Sequence, residues 1–251
     1  MFSLPQINPE AEEKKIVSFL RKTFHEQKIE KAVIGVSGGI DSSVSLTLLA
    51  KAIPAENILA LNLPYFNEID KDIPELEKTL NMRITTVSIK KTTDEVISRL
   101  EISEEEALRR GNISARVRMI VLYDFAKKHS SLVVGTENRS EHHMGYFTRF
   151  GDEASDIEPI QHLYKTQVYE LARYLGIPRS IIDKSPSANL WQQQTDEGEF
   201  GFSYAEADQV LYRYFDKKEK TEQIEKDFPS AGKIIDFANK NSYKHHVPYH
   251  L

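Results

Sequence analysis

The stretch Ala32-Val-Ile-Gly-Val-Ser-Gly-Gly-Ile-Asp-Ser-Ser43 decides the fold. Ala32 to Val36 is a short apolar run of the kind that parallel sheets bury on both faces, and the segment from about Ser42 to Lys51 is apolar enough for a buried helix. Between them, Gly38 and Gly39 let the chain turn tightly and aim backbone N–H groups at an anion, while the helix start adds the positive end of its dipole. Ser37, Ser42 and Ser43 add hydroxyl donors. No Lys follows the glycines, so this is not the Walker phosphate loop. Asp41 occupies the turn instead. A carboxylate beside phosphates calls for a cation between them, and Mg²⁺ is the expected one for oxygen ligands.

Outward from this turn the elements alternate. Pro9 to Lys28 carries Ile16, Val17, Phe19, Leu20 and Phe24 at helical spacing between charged residues. Ile58 to Leu63, Ile84 to Ile89 and Ser131 to Val134 read as further strands, with a long helix from about Glu104 to Lys128 before the last. Helices are also expected at Thr166–Leu175, Tyr204–Phe215 and Ala231–Asn241. This alternation predicts an α/β fold with a doubly wound parallel sheet flanked by helices, in one domain over 1–251, with ligands beyond the carboxyl ends of the strands. Gly135–Glu158 and Asp183–Ser203 read as long polar loops, the first at that ligand-binding edge.

Composition narrows the function classes. The net charge of −5 gives no general attraction for nucleic acid or anionic membrane. The chain has no long apolar span, no signal-peptide pattern at Met1 and no Cys, so a cytoplasmic protein without thiol chemistry is expected.

Ser37-Gly-Gly-Ile-Asp-Ser-Ser43 resembles the pyrophosphate loop of the ATP pyrophosphatases, which break ATP between its α- and β-phosphates. Five later motifs select one branch of that superfamily: Gly111-Asn-Ile-Ser-Ala-Arg-Val-Arg-Met-Ile120, Val134-Gly-Thr-Glu-Asn-Arg-Ser-Glu141, Gly145-Tyr-Phe-Thr-Arg-Phe-Gly-Asp152 with Asp156, Leu163-Tyr-Lys-Thr-Gln-Val168, and Pro186-Ser-Ala-Asn-Leu-Trp191 followed by Gln194-Thr-Asp-Glu197. In this order they are similar to the ammonia-dependent NAD synthetases. The resemblance implies the adenine nucleotide alpha hydrolase-like fold with extra C-terminal helices, and a ligase that makes NAD, AMP and pyrophosphate from deamido-NAD, ATP and ammonia. It also implies a homodimer.

Residue by residue, it implies ATP contacts along Gly35, Val36, Ser37, Gly38, Gly39, Ile40, Asp41 and Ser42, and at Thr136, Lys165 and Ser187. Mg²⁺ would lie on Asp41 and Glu141. Deamido-NAD would meet Arg116, Arg149, Asp156, Tyr243 and Lys244, with Asp152 at the ammonia site and Asp41, Asp152 and Lys165 as the catalytic set. Arg149 and Tyr243 stand where the family usually has Lys and His, and Glu137 where a small or polar residue is more common. His142 and His143 are adjacent on a loop and read as solvent-exposed rather than as metal ligands. The rival readings are another ATP pyrophosphatase, GMP-synthetase-like or tRNA-modifying, and a non-enzymatic nucleotide-binding module of the universal-stress type. The later motifs argue against the first, and the acidic pair Asp41 and Glu141 against the second.

Overall fold

The computed structural model describes residues 3–66, 72–188, 190–191 and 193–249; Asn189 of the Pro186–Trp191 motif lies outside them. Helix α1 (Pro9–Gln27) begins where the Asn8 side chain accepts from the Ala11 amide with Pro at the first turn, and it buries Ile16, Val17, Leu20 and Phe24. Strands β1 (Lys31–Gly35), β2 (Ile58–Asn62), β3 (Ile84–Thr86) and β4 (Ser131–Val134) form one parallel sheet in the order β3-β2-β1-β4. Alternate residues of β1 serve opposite layers. Ala32 and Ile34 face helices α1, α2 (Ile40–Ala52) and, further along, α7 (Lys165–Leu175), whereas Val33 faces α5 (Ala107–His129).

The remaining helices are α3 (Asp72–Leu80), α4 (Lys90–Arg99), α6 (Arg139–Met144), α8 (Arg179–Ile182), α9 (Asp196–Phe200), α10 (Tyr204–Leu211), α11 (Thr221–Ile224) and α12 (Ala231–Asn241). Met144 of α6 joins Phe200, Tyr204, Val210, Ile234 and Ile235 in a second, aromatic-rich core beyond the sheet. The C-terminal helices thus brace the segment that follows β4.

Several expectations change in detail. Pairing along β3 stops at Thr86 rather than Ile89, although the Val87 and Ile89 amides still donate to Asn62 and Pro64 carbonyls. The helix expected over Tyr204–Phe215 is α-helical only to Leu211 and continues as a π-helical turn, Tyr212–Asp216. Neither long polar segment is wholly loop. Gly135–Glu158 contains α6, and Asp183–Ser203 contains α9.

The order of the strands places the site. β1 pairs with β2 on one side and β4 on the other, so the chain leaves their carboxyl ends in different directions and opens a crevice between the two following turns. Gly145 closes α6 at φ 61°, and a Cβ there would lie 2.6 Å from Asn241 Cβ and 3.0 Å from its carbonyl oxygen on α12. Gly145→Ala should therefore cost about 2 kcal/mol or more through left-handed strain and a backbone clash. Thermal unfolding should read this as a Tm roughly 4–8 °C lower; an unchanged Tm would refute the packing account.

Candidate active site

At the crevice the Gly-rich turn takes its shape from its own serines. Gly38 sits at φ 78°, where a side chain would be strained. The Ser42 hydroxyl accepts from the Ser37 amide at 3.2 Å and donates to the Gly39 carbonyl at 3.0 Å, and Ser43 Oγ donates to the same carbonyl at 2.8 Å. On sequence alone these hydroxyls are expected as donors; in the structure Ser42 and Ser43 are buried and hold the turn. Gly39 caps α2 with no side-chain hydrogen bond, which leaves the helix start to a ligand. Val36 is pinned behind the turn, its amide donating to Leu61 and its carbonyl accepting from Asn62 Nδ2.

Lys165 lies at the centre of the crevice. It opens α7, yet its side chain is only 3% exposed, and its ammonium lies 2.5 Å from Asp41 Oδ2 and 3.3 Å from Glu141 Oε1. Burial alone would push its pKa down. Asp41 and Glu141 outweigh that and hold it above the ordinary lysine value. Glu141 is shifted up by burial, and the carboxylates of Asp41 and Asp196 add to the shift against the pull of Lys165. Asn138 joins the two carboxylates: its side chain caps α6 by accepting from the Glu141 amide and donates to Asp41 Oδ1 at 3.0 Å. Three elements distant in sequence thus converge on one buried cation, with Asp41 and Glu141 still partly open to solvent at 15% and 18%.

The second predicted group assembles beside this one. Arg116 Nε donates to the Arg149 carbonyl at 3.3 Å, and the Arg149 guanidinium lies 5.4 Å from the Phe150 ring and 5.6 Å from the Tyr243 ring. Lys244 donates to the carbonyls of Gly145 and Phe147 at 2.7 and 2.9 Å, tying the C-terminal segment to the end of α6. Asp152 is open to solvent and accepts from the Thr148 amide at 3.0 Å. Thr136 lies two residues beyond β4, and Ser187 is half-buried on the segment before α9. Asp156 is engaged elsewhere. Its carboxylate accepts from the Val133 amide at 2.7 Å and the Tyr123 hydroxyl at 3.5 Å.

The family model that describes NAD synthase matches residues 12–248. The chain belongs to the NAD synthase family. It is 43% identical over 251 residues to the NH(3)-dependent NAD(+) synthetase of Thermoplasma volcanium, covering 99% of both chains. Among solved structures it resembles the NMN synthetase of Francisella tularensis, with a TM-score of 0.84, 35% identity and 98% and 99% of the two chains covered. It also resembles the NH3-dependent NAD synthetase of Campylobacter jejuni, with a TM-score of 0.83, 30% identity and 98% and 100% covered.

Within this NAD synthase framework, some side chains that shape the site were not read from the sequence. Asn138 is one, although Asn138-x-x-Glu141 is a capping-box signature of a short helix. Tyr204, whose ring lies 5.2 Å from the Lys165 ammonium, and Asp208 on the same helix had no sequence signal. The histidines expected at the surface are half-buried: His143 stacks on Phe215 with centroids 4.3 Å apart, and its pKa is pushed down to about 3 by burial. His142 bonds to Glu137, which is itself buried. Among the described residues no group of three or more His, Cys, Asp or Glu side chains is gathered to hold a metal by itself.

Proposed function

We propose that this protein is an ammonia-dependent ligase that makes NAD from deamido-NAD and ATP, in one NAD synthetase domain spanning 1–251. The observation that carries the reading is Lys165, buried between Asp41 and Glu141 where the Gly-rich turn meets the start of α2. A nicotinate carboxylate oxygen attacks the α-phosphorus of ATP, the bond to the bridging oxygen breaks, and pyrophosphate leaves. Ammonia then attacks the carbonyl carbon of the acyl-adenylate, AMP departs, and the nitrogen loses a proton. A carboxylate is a poor electrophile; adenylation replaces its poor leaving group by AMP.

The chain's own groups supply position and charge. The α2 amides and Lys165 receive phosphate oxygens, with Thr136 and Ser187 around the nucleotide. Arg116, Arg149 and Lys244 face the anionic dinucleotide with Tyr243; Asp156 would reach it only by giving up its bond to the Tyr123 hydroxyl. Asp152, open to solvent, receives ammonium and helps it shed a proton, since only neutral ammonia is nucleophilic. Two carboxylates that already converge on one cation fit Mg²⁺, which takes one or two protein carboxylates plus substrate phosphates. Bound on Asp41 and Glu141, the ion would stabilise charge on the departing pyrophosphate.

Partners follow from the same reading: the three small substrates, no nucleic acid, no membrane, and a second copy of the chain. No helix among the described residues is long and apolar enough to cross a membrane, and we place the enzyme in the cytoplasm.

A second reading concerns only the size of the nucleotide. Arg149 and Tyr243, the two positions that depart from the family's Lys and His, lie against each other, and one similar structure is that of an NMN synthetase. The same amidation on a mononucleotide fits both facts.

One assay tests the whole. Pyrophosphate release from ATP should depend on deamido-NAD, and the second reading expects nicotinate mononucleotide to serve better. Dependence on XMP, or on no acceptor, would remove the proposed function. Glutamine should not replace ammonium, because the chain has no Cys to form a glutamyl thioester. The rate at fixed total ammonium should rise with pH as ammonium loses its proton.

A further inference from the structure

Helix α10 carries two polar side chains that the reaction above does not use. Tyr204 and Asp208 are four residues apart, one turn on the same face, and both are buried, at 3% and 0% exposure. Asp208 accepts three hydrogen bonds from the two helices that frame the site. Ser140 Oγ donates to one carboxylate oxygen at 2.5 Å, and the Thr166 amide and hydroxyl both donate to the other at 2.8 Å. Ser140 Oγ in turn accepts from the Lys165 amide at 2.8 Å. One carboxylate therefore binds the helix that carries Glu141 to the first turn of the helix that carries Lys165.

One turn earlier, the Tyr204 ring lies against the Lys165 ammonium at 5.2 Å, and its hydroxyl donates to Asp196 Oδ2 at 3.0 Å. The other oxygen of Asp196 accepts from the Ala188 amide at 3.1 Å. Ala188 follows Ser187 directly, so the chain of contacts runs from Lys165 through the ring to the segment proposed to meet ATP. A buried carboxylate is costly, and an apolar side chain of similar size would often stabilise a fold as well or better. Asp208 bears that cost where three donors from two elements meet.

We infer that Tyr204 and Asp208 are positioning residues that hold the Lys165 ammonium at the phosphate site, so that α10 is part of the catalytic machinery rather than packing alone. This rests on the proposed NAD synthesis. Neither side chain touches the reacting atoms; both act through Lys165.

The experiment is a pair of double-mutant cycles on the purified enzyme, with NAD formation as the readout. Asp208→Asn should lower kcat about tenfold while the KM values for ATP and deamido-NAD move less than about twofold. In a Lys165→Gln background the same change should lower the residual rate by less than about twofold, because the group it positions is gone. In an Arg116→Ala background the full tenfold loss should persist. Tyr204→Leu should behave like Asp208→Asn, and Tyr204→Phe, which keeps the ring, should recover most of the lost kcat. Thr166→Val, which removes one bond to Asp208 at nearly constant shape, carries the test if Asp208→Asn melts below the assay temperature. Losses that multiply equally in both backgrounds, or Phe and Leu that behave alike, would overturn the inference while leaving NAD synthesis intact. A wild-type protein that makes no NAD would instead remove the reading on which it rests.

Discussion

Lys165→Gln is expected to lower kcat by about a thousandfold, equivalent to about 4 kcal/mol of lost transition-state stabilisation. The ammonium is enclosed by Asp41, Glu141 and the Tyr204 ring with its side chain 3% exposed, so its charge acts at the phosphate site with little screening by water. The folded protein loses too. Removing the cation leaves two carboxylates facing each other, which costs several kcal/mol unless one takes up a proton or both find another cation. Divalent metal should therefore protect this variant against thermal unfolding more than it protects the wild type. Lys165→Arg should rescue little, because a planar fork with five donors does not fit a site built around a point charge. Turnover within a few fold of wild type would dismiss Lys165 from the phosphate site.

The second large effect is expected at the opposite partner. Asp41→Asn is nearly isosteric, and Glu141 remains to pair with Lys165 at 3.3 Å, so the melting temperature should move little. Turnover should fall by about a hundredfold or more, about 3 kcal/mol, and the Mg²⁺ concentration giving half-maximal rate should rise. The two readouts separate two roles. A lower rate with unchanged Mg²⁺ dependence would mean that Asp41 serves only to hold Lys165. A near-normal rate with unchanged Mg²⁺ dependence would leave it no role in the site.

The sequence made β1, its Gly-rich turn and α2 legible because all the signals there are local: an apolar run, two glycines and an apolar helix within twenty residues. α1 was equally plain from Ile16, Val17, Leu20 and Phe24. Helices α3 and α4 were missed although Ile73, Leu76 and Leu80 have helical spacing. They are short, α4 has no side-chain cap, and packing rather than propensity holds them. α6 was hidden in a polar segment whose capping box went unread.

The site divides in the same way. Asp41 could be picked out from chemistry, since an acid in a phosphate turn asks for a cation. Glu141 came only from the family resemblance; for Lys165 the one local sign is a cation at a helix start, an unfavourable place that points to an anionic partner, and nothing local marks it as buried. Asn138, Tyr204 and Asp208 came from neither. Asn138 reaches Asp41 across 97 residues and Thr166 reaches Asp208 across 42, and one sequence without its fold gives no means of pairing them.

The contact between Asp41 and Lys165 spans 124 residues, and this has a bearing on synthesis. A chain emerging from the ribosome exposes its nucleotide turn early, with β1 able to pair only with β2. The crevice does not exist until β4 arrives on the other side, and Lys165 has no seat until α10 has followed it out. Contacts so distant close late, because loop closure must precede their reward. A nascent or truncated chain ending before Asp208 therefore holds an incomplete phosphate site, and cannot spend ATP before the protein that would use it is complete.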